Sequence, residues 1–329
     1  MKLCIIKLGA KGDVIRTLCI LESIKEKFPN SEITWIVKEK NRQLLENHPK
    51  IDKLVNSEDK TNEKFDILYN FDIDEEACKL ALEIQADKKL GFYMNKGFPS
   101  AYNTGAEYYL NTLFDDELKK KNKKTYQEIM SQAAELEWKK QPCLIYLNEK
   151  DNKYAQDFVN KNKINTTKLI GIHIGAGKRW PSKSWHTSEV IDFIIKASEK
   201  YEILLFSGPD DSAINKTITE SLKDKAIKIF QNNPDNTDRE FTSLVNLCNV
   251  MICSDSLALH VSLAMKKPTI GLFFCTSPDE VEDYGLLRKI ISPLLYDFFP
   301  EKSDQYSKEL VKSISANQVL NEVEEILKK

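Results

Sequence analysis

Residues 249–278 constrain the fold more than any other stretch. Val250 to Cys253 is an apolar run that reads as a buried strand, Ser254-Asp255-Ser256 supplies N-cap residues, and Leu257 to Met265 reads as a helix. Lys266-Lys267 suit the negative end of that helix, Pro268 stops it, and Thr269 to Phe274 reads as a second buried strand. Strand, helix and strand joined by short connections predict parallel pairing. The first connection also leaves backbone N–H groups at a helix N-terminus, where an anion is favoured.

The same alternation runs through the chain. In the first half, strands are expected at Leu3–Lys7, Ile33–Val37, Ile51–Val55, Phe65–Tyr69, Lys89–Phe92 and Cys143–Leu147, with helices at Asp13–Lys27, Asn41–Asn47, Glu75–Gln85 and Thr125–Trp138. Residues 91–114 are rich in aromatics and glycine and read as one long loop, either functional or packed down by its own aromatics. In the second half, strands are expected at Leu169–Ile174, Ile203–Ser207, Ile227–Phe230, Val250–Cys253 and Thr269–Phe274, with a last amphipathic helix over Ala316–Lys328. Alternating strands and helices predict α/β architecture with parallel sheets. A polar, lysine-rich stretch at 148–167 places a domain boundary near residue 150.

Composition excludes several classes. The chain has 329 residues and a net charge of −2, enough for two ordinary domains and too little positive charge for a dedicated nucleic-acid binder. No apolar run approaches the ~18 residues of a membrane-spanning helix, and the N-terminus opens directly with a strand, so a soluble cytoplasmic protein is expected. The seven cysteines form no C-x-x-C pair and read as buried thiols. With four histidines, no metal site is expected.

Three loops carry candidate chemistry. Gly9-x-x-Gly12-Asp13 follows the first strand and opens the first helix, but its spacing is not the G-x-G-x-x-G of a dinucleotide site. Asp13 there is favourably placed at the helix dipole and can serve as a cap. Lys7, Lys11 and Arg16 crowd the same strand end. Gly175-Ala176-Gly177-Lys178-Arg179-Trp180-Pro181 follows strand Leu169–Ile174, and Ser207-Gly208-Pro209-Asp210-Asp211 follows Ile203–Phe206. Asp72-Ile73-Asp74 has the D-x-D form of some metal sites but reads as solvated, helix-capping acid.

These strings resemble glycosyltransferase family 9, which contains the ADP-heptose:lipopolysaccharide heptosyltransferases. The resemblance lies in Lys7-x-Gly9-x-x-Gly12-Asp13-Val14-x-Arg16-Thr17, in Lys178-Arg179-Trp180-Pro181 with Trp185, and in Asp255-Ser256-x-x-x-His260 with Lys267-Pro268. The family usually has Gly where this chain has Leu257, and Gly-Pro-Thr in place of Phe274-Cys275-Thr276. The resemblance implies a GT-B fold: two facing Rossmann-like domains with parallel sheets and an interdomain cleft. Residues 1–150 would bind the acceptor and 151–315 the donor, with helix 316–329 returning to the first domain. It implies a metal-independent, inverting transfer with Asp13 as general base and no cofactor beyond a nucleotide-sugar donor, ADP-linked. Donor contacts would come from Lys178, Arg179, Gly208, Asp255, Ser256, Leu257 and His260. Acceptor contacts would come from Lys7, Lys11, Gly12 and Arg16. The acceptor implied is lipopolysaccharide core or a lipid-linked oligosaccharide, met by a monomer at the inner face of the cytoplasmic membrane. Leu257 and Phe274-Cys275 keep open a transferase or epimerase using a UDP- or GDP-sugar, and a non-catalytic nucleotide-sugar binder is a separate alternative, against which Asp13 argues.

Overall fold

Leu3 to Ile6 are each fully buried in β1 (Lys2–Ile6), which pairs in parallel with β2 (Glu32–Val37) on one side and β4 (Phe65–Asn70) on the other. A strand covered on both faces reads as a continuous apolar run, which is how the sequence presents it. The computed structural model describes residues 1–59, 61–177 and 179–328. They form two units, one of Met1–Tyr146 with Asp279–Glu282, the other of Leu147–Pro278 with Asp283–Lys329.

The first unit adds β3 (Lys53–Asn56), β5 (Ala86–Asn95) and β6 (Phe98–Ala101), in the order β3-β2-β1-β4-β5-β6. Only β6 is antiparallel. The short segment 279–282 belongs here because Tyr126 N–H donates to Glu280 O at 2.9 Å and Lys123 pairs with Asp279 at 2.8 Å.

Several first-half elements differ from expectation. Residues 91–114 are not a loop. β5 runs past its pairing with β4 at Gly91, turns at Lys96 and Gly97 with positive φ, and returns as β6 before a helix over Thr104–Phe114. Two positive-φ residues are the mark of a tight hairpin turn, and of the glycines that suggested a loop, Gly97 serves that turn while Gly91 lies in β5 and Gly105 in the helix. The expected helix over 13–27 is two helices, Lys11–Thr17 and Ile20–Lys27. Cys143–Leu147 is no strand. Its apolar side chains pack without a ladder, and the Cys143 thiol donates to Arg16 O at 3.2 Å.

The second unit holds β7 (Leu169–His173), β8 (Glu202–Phe206), β9 (Phe230–Gln231), β10 (Val250–Ser254), β11 (Thr269–Phe273) and β12 (Leu287–Ile291), in the order β12-β11-β10-β7-β8-β9, all parallel. Strand β12 escapes the sequence reading because only its first residue is buried. The last helix, Ala316–Leu327, belongs to the second unit. Val319 and Val323 lie at 0% exposure in the core of the second unit, with Ile170, Val250 and Ile270, and Lys200 pairs with Glu324 at 2.7 Å. Its apolar stripe is therefore already covered by its own unit.

In each sheet the chain order reverses beside the first strand, between β1 and β4 and between β10 and β7. Ligands of open α/β sheets bind at the carboxyl ends of strands at such a switch point. The Asp13 loop follows β1 and Asp72 follows β4. The 175–181 loop follows β7 and Asp255 follows β10.

Candidate active site

In the first unit, the glycine loop is held from both sides. The Asp72 carboxylate accepts from Leu8 N–H, from Gly9 N–H at 3.0 Å and from Lys7 Nζ at 2.5 Å. Asn41, fully buried, donates to Gly9 O at 2.8 Å. Glycine is required at position 9 because a Cβ there would stand 2.9 Å from Asp72 Oδ1. Asp72 is thus neither solvated nor a cap, and its side chain is 8% exposed. Lys7, expected at the acceptor, is corrected by the same contacts. Its ammonium is buried between Asp72 and Phe71 O, to which it donates at 2.8 Å, so it supports the loop from beneath. Burial penalises the charged form, but Asp72 beside it outweighs that and holds Lys7 well above the ordinary lysine pKa.

The fixed loop opens helix Lys11–Thr17, with Lys11, Gly12 and Asp13 in its first turn and all three half-buried. Asp13 accepts from Arg16 at 2.5 Å, and the guanidinium lies 3.9 Å from the centre of the Tyr126 ring. Thr17 Oγ1 donates to Asp13 O at 2.7 Å and stands 3.4 Å from the Tyr126 hydroxyl. Burial raises the Tyr126 phenol pKa, so it stays neutral. Arg16, Tyr109, Lys119, Tyr126 and Glu280 border a cavity of about 70 Å3. The result is a half-exposed carboxylate whose position is set by a cation and an aromatic platform.

In the second unit, a parallel arrangement surrounds Asp255. Its Oδ2 lies 3.2 Å from Lys183 Nζ and its Oδ1 lies 3.6 Å from His260 Nε2. Ser256 is the N-cap of helix Leu257–Ala264 but makes no capping bond with its side chain. Among the described residues, Ser256 Oγ and Thr276 Oγ1 are buried without a hydrogen-bond partner. Buried hydroxyls are normally bonded, and Ser256 holds its unpaired hydroxyl beside the free N–H groups of the helix start. Phe274 and Cys275 are 1% and 0% exposed, so that departure from the usual family string sits in the core and not on a ligand surface. Burial pushes the Cys275 thiol up to about 11, with Lys183 pulling the other way. Leu257 opens the helix, half-buried.

Asp211 does for the second unit's loops what Asp72 does for the first. It accepts from Gly208 N–H at 2.8 Å, and a Cβ on Gly175 would stand 2.3 Å from its Oδ2. It also lies beside His173, whose pKa burial lowers against the pull of the carboxylate.

Comparison with known proteins decides what these sites belong to. The sequence model of glycosyltransferase family 9 (heptosyltransferase) matches residues 62–309. The chain belongs to glycosyltransferase family 9. The lipopolysaccharide core heptosyltransferase OpsX of Haemophilus influenzae is 23% identical over 88% of this chain and 84% of its own. A family 9 glycosyltransferase from Veillonella parvula superposes with a TM-score of 0.78 at 21% identity, covering 99% of this chain and 97% of its own. Escherichia coli ADP-heptose lipopolysaccharide heptosyltransferase II gives 0.70 at 17% identity, covering 100% and 99%. These likenesses establish the GT-B fold.

Within family 9, the sequence brings most expected residues to the two switch points. Asp13, Arg16, Gly12 and Lys11 gather after β1, and Asp255, Ser256, Leu257 and His260 after β10. Gly208 lies after β8, in extended backbone. Lys178 lies outside the described residues. Arg179 is exposed, with its guanidinium 4.8 Å from the Trp180 ring. Trp185 is 7% exposed and donates to Ile314 O at 2.9 Å, so it is a packing residue. The sequence reading misses the roles of three residues: Asp72, read as a solvated cap, Asp211, quoted only as part of its loop, and Lys183, not named at all. The first two sit one or a few residues after an apolar strand, a signal open to reading. Lys183 has no such mark in a chain this rich in lysine.

Proposed function

We propose that this enzyme transfers a heptose, or a closely related sugar, from an ADP-sugar to the lipopolysaccharide inner core or a related oligosaccharide. The Haemophilus influenzae relative and the Escherichia coli structure above are named heptosyltransferases, and a further Escherichia coli heptosyltransferase, with ADP, has a TM-score of 0.67. The observation that carries the mechanism is Asp13, a half-exposed carboxylate in the first turn of the helix after the fixed glycine loop.

An acceptor hydroxyl holds its proton far above neutral pH, so a base must take it as the bond to the anomeric carbon forms. Asp13 does this, and Arg16 with Tyr126 keeps its carboxylate oriented. ADP departs from the opposite face of the sugar, so the configuration inverts and no covalent intermediate forms. The charge gathering on the leaving diphosphate is met by the first-turn amides of helix Leu257–Ala264, by Ser256 and by Lys178. On this reading the transfer needs no metal. The enzyme works as a monomer in the cytoplasm, on the inner face of the membrane that carries its acceptor.

The test is incubation with ADP-heptose and a heptose-deficient core acceptor in EDTA, following ADP release and the anomeric configuration of the product. Release of ADP with an inverted product is expected. Turnover only with a UDP- or GDP-sugar would replace the donor. ADP binding with no turnover on any acceptor would make the protein a nucleotide-sugar binder.

A further inference from the structure

Asp255 poses an electrostatic problem for the donor site. It stands at the mouth of helix Leu257–Ala264, where the diphosphate proposed above must come. Two like unit charges about 5 Å apart at an effective dielectric near 20 weaken binding by a factor on the order of a hundred. The structure supplies a compensation. Lys183 reaches Asp255 at 3.2 Å from a single turn, Pro181–Lys183. That turn is tied down by Ser182, whose hydroxyl donates to Gln305 O at 2.8 Å and accepts from Ser307 N–H at 2.8 Å. The two side chains are 15% and 16% exposed, so solvent screens the pair only in part. His260 closes the other side of the carboxylate at 3.6 Å.

We infer that Lys183 is a positioning residue of the donor site, neutralising Asp255 so that the helix N-terminus accepts a nucleoside diphosphate that a bare carboxylate would repel. Lys183 acts through Asp255, not by taking the phosphate itself. The inference rests on the diphosphate-donor reading.

The test compares ADP with uncharged adenosine by calorimetry on the full chain, with thermal melts to confirm that each variant folds. Lys183→Gln is expected to weaken ADP about tenfold, the scale of one lost charge-assisted interaction, and to leave adenosine unchanged. Lys183→Arg should restore ADP binding. The double variant Lys183→Gln with Asp255→Asn should recover it too, because the repelling charge is gone. Equal weakening of ADP and adenosine would overturn the inference in favour of a structural role. A double variant no better than Lys183→Gln alone would also overturn it, in favour of direct phosphate contact. Unchanged ADP affinity in Lys183→Gln would overturn it outright. If the wild-type protein binds UDP or GDP but not ADP, the donor assignment falls, and the same cycle is read on that diphosphate against its nucleoside. Binding of no nucleoside diphosphate overturns both.

Discussion

Each unit places an acid at the same topological position, just beyond the strand that flanks its first strand at the switch point, yet the two acids are used differently. Asp72 follows β4 and is 8% exposed, and it turns its oxygens inward to Lys7 and the amides of Leu8 and Gly9. Asp255 follows β10 and is 16% exposed, and it faces Lys183 and His260 at the mouth of a helix. The first unit therefore spends its switch-point acid on holding a loop, which leaves a different carboxylate, Asp13, 35% exposed. The second gives loop-holding to Asp211 and sets its switch-point acid beside Lys183 and His260. The difference fits the roles proposed for the two edges. A proton acceptor has to be an available carboxylate, whereas a diphosphate site has to have its carboxylate masked.

The largest effect that would break this division is at Asp13. Asp13→Asn should lower transfer by about 10²–10⁴-fold, the usual share of a positioned base, while the ADP dissociation constant stays within error. Equal loss of both would show that the carboxylate is structural. Next comes Asp72 against Asp255. Asp72→Asn leaves the buried Lys7 ammonium without its partner and should cost about 3–5 kcal/mol of stability, seen as a lower denaturant midpoint. Asp255→Asn exposes Lys183 to partial solvent and should cost well under half of that. Similar losses would mean that both acids serve the fold alone.

The contrast between the acids also shows what the sequence could carry. Parallel α/β units were legible because buried strands such as Leu3–Ile6 and Val250–Cys253 are continuous apolar runs. Asp13, Ser256 and His260 were singled out through the family resemblance, at motif positions beside a glycine loop or a helix start. Asp72 was misread because burial of an acid depends on a lysine 65 positions away, and no local pattern encodes that pairing. Lys183 is the same case, since its partner lies in the loop after another strand. The 91–114 segment was misread for a different reason. Its glycines and aromatics look irregular locally, and only the pairing of Phe92–Asn95 with Phe98–Ala101 makes them a hairpin. The last helix was assigned by family resemblance, and its own apolar stripe is satisfied within the second unit.

The glycines facing Asp72 and Asp211 sharpen the comparison further. An added methyl at Gly9 stands 2.9 Å from Asp72 Oδ1, and one at Gly175 stands 2.3 Å from Asp211 Oδ2. Asp72 cannot retreat without uncovering Lys7, so Gly9→Ala should appear as lost stability, about 1–3 kcal/mol by analogy with overpacked sites. Asp211 is held at Gly208 N–H and borders His173. Gly175→Ala should therefore push Asp211 aside, loosen the 208 loop and weaken ADP binding more than it lowers the melting temperature. Thermal melts and ADP titrations on the two variants separate these outcomes. The reverse pattern would exchange the roles given to the two loops.

The smallest effect concerns acid. His48 in the first unit is buried and packs edge-on to Tyr146 at 5.0 Å between ring centres. Its Nδ1 accepts from Lys50 N–H at 3.2 Å, which requires the neutral ring. Burial, helped by Lys50, lowers its pKa to about 4. Because the folded value lies below the unfolded one, the stabilisation is complete above the ordinary histidine pKa. It is lost as pH falls towards 4, where unfolded chains take up a proton that the folded chain refuses. His48 should cost the first unit about 1 kcal/mol near pH 5.5. His173 in the second unit shifts the same way, by burial, with Asp211 opposing it. Chemical denaturation of His48→Gln and His173→Gln across pH 7 to 5 measures each share. The variant that flattens the acid slope more identifies the unit that yields first. If neither changes the slope, carboxylate protonation at the ion pairs, and not histidine, sets the acid limit.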